Sequence, residues 1–273
     1  MKFLGIDLGW QSHPSGLCCL IWQDEKLYMM DLRRLELISE ILAWVDSCVS
    51  VGESAGIAVD APTLIANATG MRLPDRLTHR HFGRYHAGCY PANLSRPFAQ
   101  RTVEFGLSLA ARGFCHAPVL QPKQRGRYQI EVFPHPATIH LFGLQQILKY
   151  KKGRLADRRT ELQKLSRYIL TILPTLEPAL VFSDADRARL SEIPLNGAAL
   201  KALEDQLDSV ICAYVAAHWW YWGLERNWVL GADTPEECCV TGYIVVPAPQ
   251  VSFEQSSFEQ SSFESNSFQS ASH

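Results

Sequence analysis

Three short apolar runs crowd the first 31 residues and leave this chain few ways to fold. Residues 2–7, 17–22 and 27–31 have the length and residue types of strands, and the polar turn Gln23-Asp24-Glu25-Lys26 joins the last two. Such short connections pair strands antiparallel, so the chain is expected to begin as a meander. Leu35, Ile38, Leu42, Val45 and Val49 then recur at helical spacing, and the break from Gly52 to Gly56 leads into the buried run Ile57-Ala58-Val59. A helix crossing between strands implies a parallel pair, which sets this fourth strand beside the first.

Further along, Tyr128 to Phe133 reads as a fifth strand, ended by Pro134-His135-Pro136. Helices follow, with a basic loop from Lys149 to Arg154 between the first and a second at about 157–173. Asn196 is a suitable N-cap for a last long helix running to about Leu224, and Gly242 to Pro247 forms a closing strand. Residues 63–128, dense in Arg, His, Gly and Pro, read as an insertion or cover with one helix near Arg101 to Arg112. The expected architecture is a single α/β domain over residues 1–248, a mixed five-stranded sheet flanked by helices. Residues 249–273 carry Ser-Phe-Glu-Gln repeats with Phe253, Phe258, Phe263 and Phe268 five apart, and are expected to be a disordered tail with possible docking points for a protein partner.

Composition narrows the function. Of 273 residues 47% are hydrophobic, ample for a core, and no apolar run reaches a membrane-spanning length, so a cytoplasmic protein is expected. Eight cysteines without C-x-x-C spacing indicate neither a zinc site nor a disulfide framework. The net charge of −2 conceals an asymmetry: Arg72 to Arg167 holds 18 basic and 5 acidic residues, the remainder 8 and 23. A basic surface facing a polyanion is one reading and a solvated face the other. Arg76, Arg80 and Arg84, four apart, would form a stripe on a helix, and Lys149, Lys151, Lys152 and Arg154 form a second cluster; both are candidate nucleic-acid contacts.

Four aspartates carry the candidate chemistry. Asp7 ends the first strand, Asp60 ends the fourth, and Asp205 and Asp208 lie three apart on the last helix. Strand-end acids meeting a helix-borne pair could hold hard divalent cations close together, as two-metal phosphodiester hydrolysis requires. Asp208 has apolar neighbours in Ile211, Cys212 and Val215, so it should sit at the edge of the core and need a partner. Glu131 is a further candidate ligand or positioning group, or else one half of an ion pair with an arginine. His135 could be a general base or simply structural.

Gly5-Ile6-Asp7, Val59-Asp60-Ala61-Pro62, Glu131-Val132-Phe133-Pro134-His135-Pro136, the segment Asp205 to Tyr214 and Gly242 to Pro247 resemble the domain-of-unknown-function family 429, described as predicted RNase H-like nucleases. The first acid and the D-x-x-D helix are also similar to those of the RuvC junction resolvases. The resemblance implies an RNase H-like fold and a nuclease holding Mg²⁺ or Mn²⁺ on Asp7, Asp60, Asp205 and Asp208, with DNA or RNA as substrate. Two other classes remain open at this point. One is an inactive nucleic-acid or protein-binding module of the same fold. The other is an actin/sugar-kinase-like ATPase, suggested by Gly5-Ile6-Asp7-Leu8-Gly9 but lacking the second phosphate motif and the adenosine motif.

Overall fold

The computed structural model describes residues 1–11 and 14–249. The expectation of a disordered C-terminal tail, with its repeated phenylalanines, therefore falls outside the described residues. Strands β1 (Lys2–Asp7), β2 (Ser15–Gln23) and β3 (Lys26–Leu35) form the meander. Its tight turn is made by Asp24 and Glu25, both at positive φ, the twist that two-residue hairpins favour. Helix α1 (Ile38–Cys48) returns the chain to β4 (Ala55–Val59), which lies parallel to β1.

Helices α2 (Leu73–Phe82) and α3 (Ala99–Ala110) and the two-residue strand β5 (Cys115–His116) come before β6 (Arg127–Glu131), which is parallel to β4. Then follow α4 (Pro134–Phe142), α5 (Leu155–Ile172), β7 (Leu180–Val181), α6 (Asp184–Ser191) and α7 (Gly197–Trp222). The chain continues through β8 (Asn227–Leu230), α8 (Pro235–Thr241) and β9 (Ile244–Pro247). The main sheet has the order β5-β6-β4-β1-β2-β3-β7. Its five central strands make the mixed sheet expected from the sequence, with short β5 and β7 added at the edges.

Two segments differ from expectation. Residues 63–128 contain two helices rather than one: α2 carries Pro74 in its first turn, buries Thr78 and Phe82, and was hidden by a composition too polar to show a stripe. The closing strand β9 does not join the main sheet. It pairs antiparallel with β8 and touches the sheet only through a bridge between Val245 and Val132.

Side-chain parity divides the core. Leu4, Ile6, Ile57 and Val59 point to the face covered by α1 and α3, whereas Phe3 and Ala58 point to the face covered by α7. Helix α7, capped by the Asn196 side chain accepting from Ala199 N at 2.8 Å, is buried along almost its whole length. It lies directly on the sheet at two glycines. A Cβ on Gly5 would run into Ser209 O and Ala213 N, and one on Gly16 into the Asp205 carbonyl. No described helix is long and apolar enough to cross a membrane.

Candidate active site

The same parity places the acids. Asp7 follows Phe3 and Gly5 on the α7 face of β1, and Asp60 follows Gly56 and Ala58 on that face of β4. Since Ile6 pairs with Val59 in parallel register, Asp7 and Asp60 end neighbouring strands side by side. The contact of Gly16 with Asp205 brings the acidic turn of α7 over this edge, because Gly16 is the register partner of Asp7. A cavity of about 550 Å³ opens there, lined by Asp7, Asp60 and Asp205 together with Trp10, Tyr90, Glu131, His135, Lys151, Lys152 and Lys201.

Asp208 lies beneath this cavity and is fully buried. Its Oδ1 accepts a hydrogen bond from Tyr150 Oη at 2.7 Å, and its Oδ2 stands 2.8 Å from Lys151 Nζ. Lys151 is thus turned into the acid cluster, while Lys149, Lys152 and Arg154 beside it are exposed. Burial holds the Asp7 carboxyl well above the usual carboxylate range; Lys151 counteracts this, and Asp208 and Asp60 add to it. Asp60 is raised for the same first reason, with Lys151 again the main opposing charge and a hydrogen bond from Asp7 assisting the ionised form. The pair retains a proton more readily than isolated carboxylates because nearby positive charge falls short of the buried negative charge.

Asp205 is differently placed. Its Oδ2 accepts from Arg34 Nε at 2.9 Å and its Oδ1 lies 2.8 Å from Lys201 Nζ. Arg34 is the register partner of Gly16, so the glycine that admits α7 also sets this arginine below it. Lys201 and Arg158 share Glu204 in the same way.

Glu131 lines the same cavity but is engaged by a different partner. It pairs with Val59 in register and so projects from the α1/α3 face. There Arg72 grips it with two hydrogen bonds, at 2.6 and 2.8 Å, and binds Asp75 at 2.8 Å through the same guanidinium. All three are buried, and burial raises the Glu131 carboxyl to about 7 despite Arg72. The arginine-pair reading of Glu131 is the one its contacts describe. Arg72 was missed as a site residue because the helix it caps was not evident in the sequence; only its spacing of three before Asp75 was visible.

His135 occupies the first turn of α4, its ring 5.4 Å from that of Tyr150. Its Nδ1 is enclosed without a hydrogen-bond partner among the described residues, and burial, with Lys151 nearby, lowers its pKa to about 4. It is a neutral imidazole at physiological pH.

The candidate nucleic-acid contacts scatter. Arg76 caps Met71 O from the start of α2, whereas Arg80 and Arg84 border a separate cleft with Tyr85, His140 and Trp228. Of the second cluster only Lys151 and Lys152 line the acid cavity. Much of the basic excess has structural work: Arg127 binds Ser50 O and Glu53 O, Arg101 binds Gly9 O, and Arg159 binds Pro194 O.

The donor atoms of the cluster are of the kind a hard cation takes, but among the described residues their arrangement does not assemble a metal site. Asp7, Asp60 and Asp208 supply oxygen donors with more negative charge than Lys151 offsets, a condition that favours a divalent ion. Asp205 could join only by releasing Arg34 or Lys201, and Asp208 only by releasing Lys151 or Tyr150. Among the described residues no three His, Cys, Asp or Glu side chains gather in a geometry that could itself hold a metal ion.

Comparison with known proteins gives a family and a distant structural likeness. No curated protein matches the chain. Among solved structures it is similar to T. thermophilus RuvC in complex with a Holliday junction substrate, at 10% identity and a TM-score of 0.31, covering 80% of this chain and 97% of that one. The family described as protein of unknown function (DUF429) matches residues 5–227, and the chain belongs to it.

Proposed function

We propose that this protein is a metal-dependent nuclease that hydrolyses phosphodiester bonds in DNA or RNA. The observation carrying this reading is that Asp7 and Asp60 lie side by side at one end of the sheet, within electrostatic reach of the buried Asp208, at a cavity also lined by lysines. Asp7, Asp60 and Asp208 would hold Mg²⁺ or Mn²⁺, which when bound supplies Lewis-acid activation of water and phosphate.

The chain's own residues would do the rest. Lys152 and Lys201 stand at the cavity rim, where a phosphodiester backbone would enter, and Trp10 and Tyr90 offer faces against which a base can stack. His135, a neutral imidazole lining the cavity, can accept a hydrogen bond from an attacking water. No covalent intermediate is needed.

A second reading, a binding module without activity, draws on the Lys151 ammonium at Asp208 and on the ion pairs of Asp205. Cleavage of labelled single-stranded, duplex and junction substrates of DNA and RNA separates the two. Metal-dependent cutting by the wild type, lost in Asp7→Asn and Asp208→Asn, supports the nuclease. A folded wild type that cuts nothing and binds no Mn²⁺ refutes it.

A further inference from the structure

The cleft bordered by Arg80 and Arg84 has the makings of a second site. We propose that it binds a single-stranded segment of nucleic acid, with a base stacked on Trp228 and adjacent phosphates on the two arginines. This rests on the nuclease reading above only for its class of ligand, since none of these three residues lines the acid cavity.

The cleft, of about 860 Å³, lies between the ends of α2 and α4 and the strand β8. Arg80 is in the last turn of α2 and Arg84 follows one turn later, both exposed. Among the described residues no Asp or Glu lines the cleft, so the two guanidiniums face no counter-ion there. This sets them apart from Arg72, Arg112 and Arg158, each of which is paired with an acid. Guanidiniums without a carboxylate partner are free to take phosphate oxygens, which match their fork of donors.

Trp228 supplies the flat surface. It is 37% exposed, and its ring is braced by His140 at 4.9 Å and Phe82 at 6.2 Å. His140 in turn is fixed by its Nδ1, which donates to Pro247 O at 2.7 Å. Burial lowers the His140 pKa, so this ring is neutral and the positive charge of the cleft comes from the arginines. An indole held in this way, with part of its surface open, is a platform for a base that is not already stacked in a duplex.

Helix α4 links the cleft to the acid cavity. His135 in its first turn lines the cavity and His140 in its last turn lines the cleft, about 8 Å further along the axis. Stacked nucleotides rise about 3.4 Å each, so two or three span that distance. A strand with a phosphodiester at the acids therefore reaches the cleft with its next few nucleotides.

The test is fluorescence anisotropy of a labelled 12-nucleotide oligothymidylate, and of a duplex of equal length, with the full chain in chelator. Wild type, Arg80→Ala/Arg84→Ala and Trp228→Ala are compared over a range of salt concentrations. Expected is single-strand binding that Trp228→Ala weakens about five- to 150-fold. The double arginine variant should also weaken it and flatten the salt dependence by about 1.4, or about 0.7 for each lost phosphate contact. Folded variants that bind the single strand as the wild type does overturn the proposal, as does a wild type that binds neither nucleic acid. A wild type that binds a synthetic peptide of residues 250–273 but no oligonucleotide also overturns it, in favour of a protein-docking cleft. If Trp228→Ala does not fold, the two exposed arginines decide. Cleavage of the same strands with Mn²⁺ is read separately. Cutting with binding insensitive to these variants would remove this inference alone, and variant-sensitive binding without cutting would remove the nuclease reading alone.

Discussion

Gly5 lies directly against the carbonyl of Ser209, so α7 meets β1 backbone to backbone with no side chain between them. The same contact recurs between Gly16 and Asp205, and together they place the acids of the helix over the strand end bearing Asp7. Gly16→Ala should therefore cost at least about 3 kcal/mol, at the upper end of overpacking effects, because the obstacle is backbone and cannot rotate away. Urea denaturation measures it; a loss below about 1 kcal/mol would mean the helix can shift freely on the sheet.

Buried acids with raised pKa values make metal-free stability depend on pH. Asp60 is raised to about 6 from an ordinary 3.8, so the folded state holds its proton more tightly than the unfolded state. Its favourable contribution is complete below about pH 4 and is lost as pH rises to about 6. Asp60→Asn should thus stabilise the chelated protein at pH 7 by on the order of 2 kcal/mol and have little effect at pH 4. Thermal unfolding in chelator across this range tests the sign. Equal destabilisation at both pH values would make Asp60 a structural hydrogen-bonding group instead.

Arg72 neutralises two buried carboxylates, and its loss would strand both. Arg72→Met should cost about 3–5 kcal/mol, and adding Glu131→Gln and Asp75→Asn should recover part of it. A chemical-denaturation cycle reads the coupling. An additive outcome would show that the triad is not an energetic unit.

The acids of α7 should differ in their effect on cleavage. Asp208→Asn is expected to lower the rate by about a thousandfold or more, whereas Asp205→Asn, whose carboxylate is held by Arg34 and Lys201, should lower it by about tenfold or less. Single-turnover cleavage compares them directly, and equal losses would place Asp205 among the metal ligands.

Much of this fold was legible because it is local. The apolar runs of the first strands, the tight turn at Asp24 and Glu25, the helix that forces β4 parallel to β1, and the Asn196 cap each act within a few residues. Asp7, Asp60, Asp205 and Asp208 could be marked as candidates for the same reason: acids at the ends of apolar runs and along one helix stand out in the linear chain. What each acid meets was not legible, since partners come from segments far apart in sequence. Strand parity turned Glu131 to the opposite face, toward Arg72, while Arg34 and Lys201 took Asp205. Lys151, one basic residue among several in its loop, was sent inward by Tyr150 and the buried Asp208. Periodicity fixes which face a side chain leaves by, but a buried charge must find its counter-ion, and only the packed chain decides which distant group arrives.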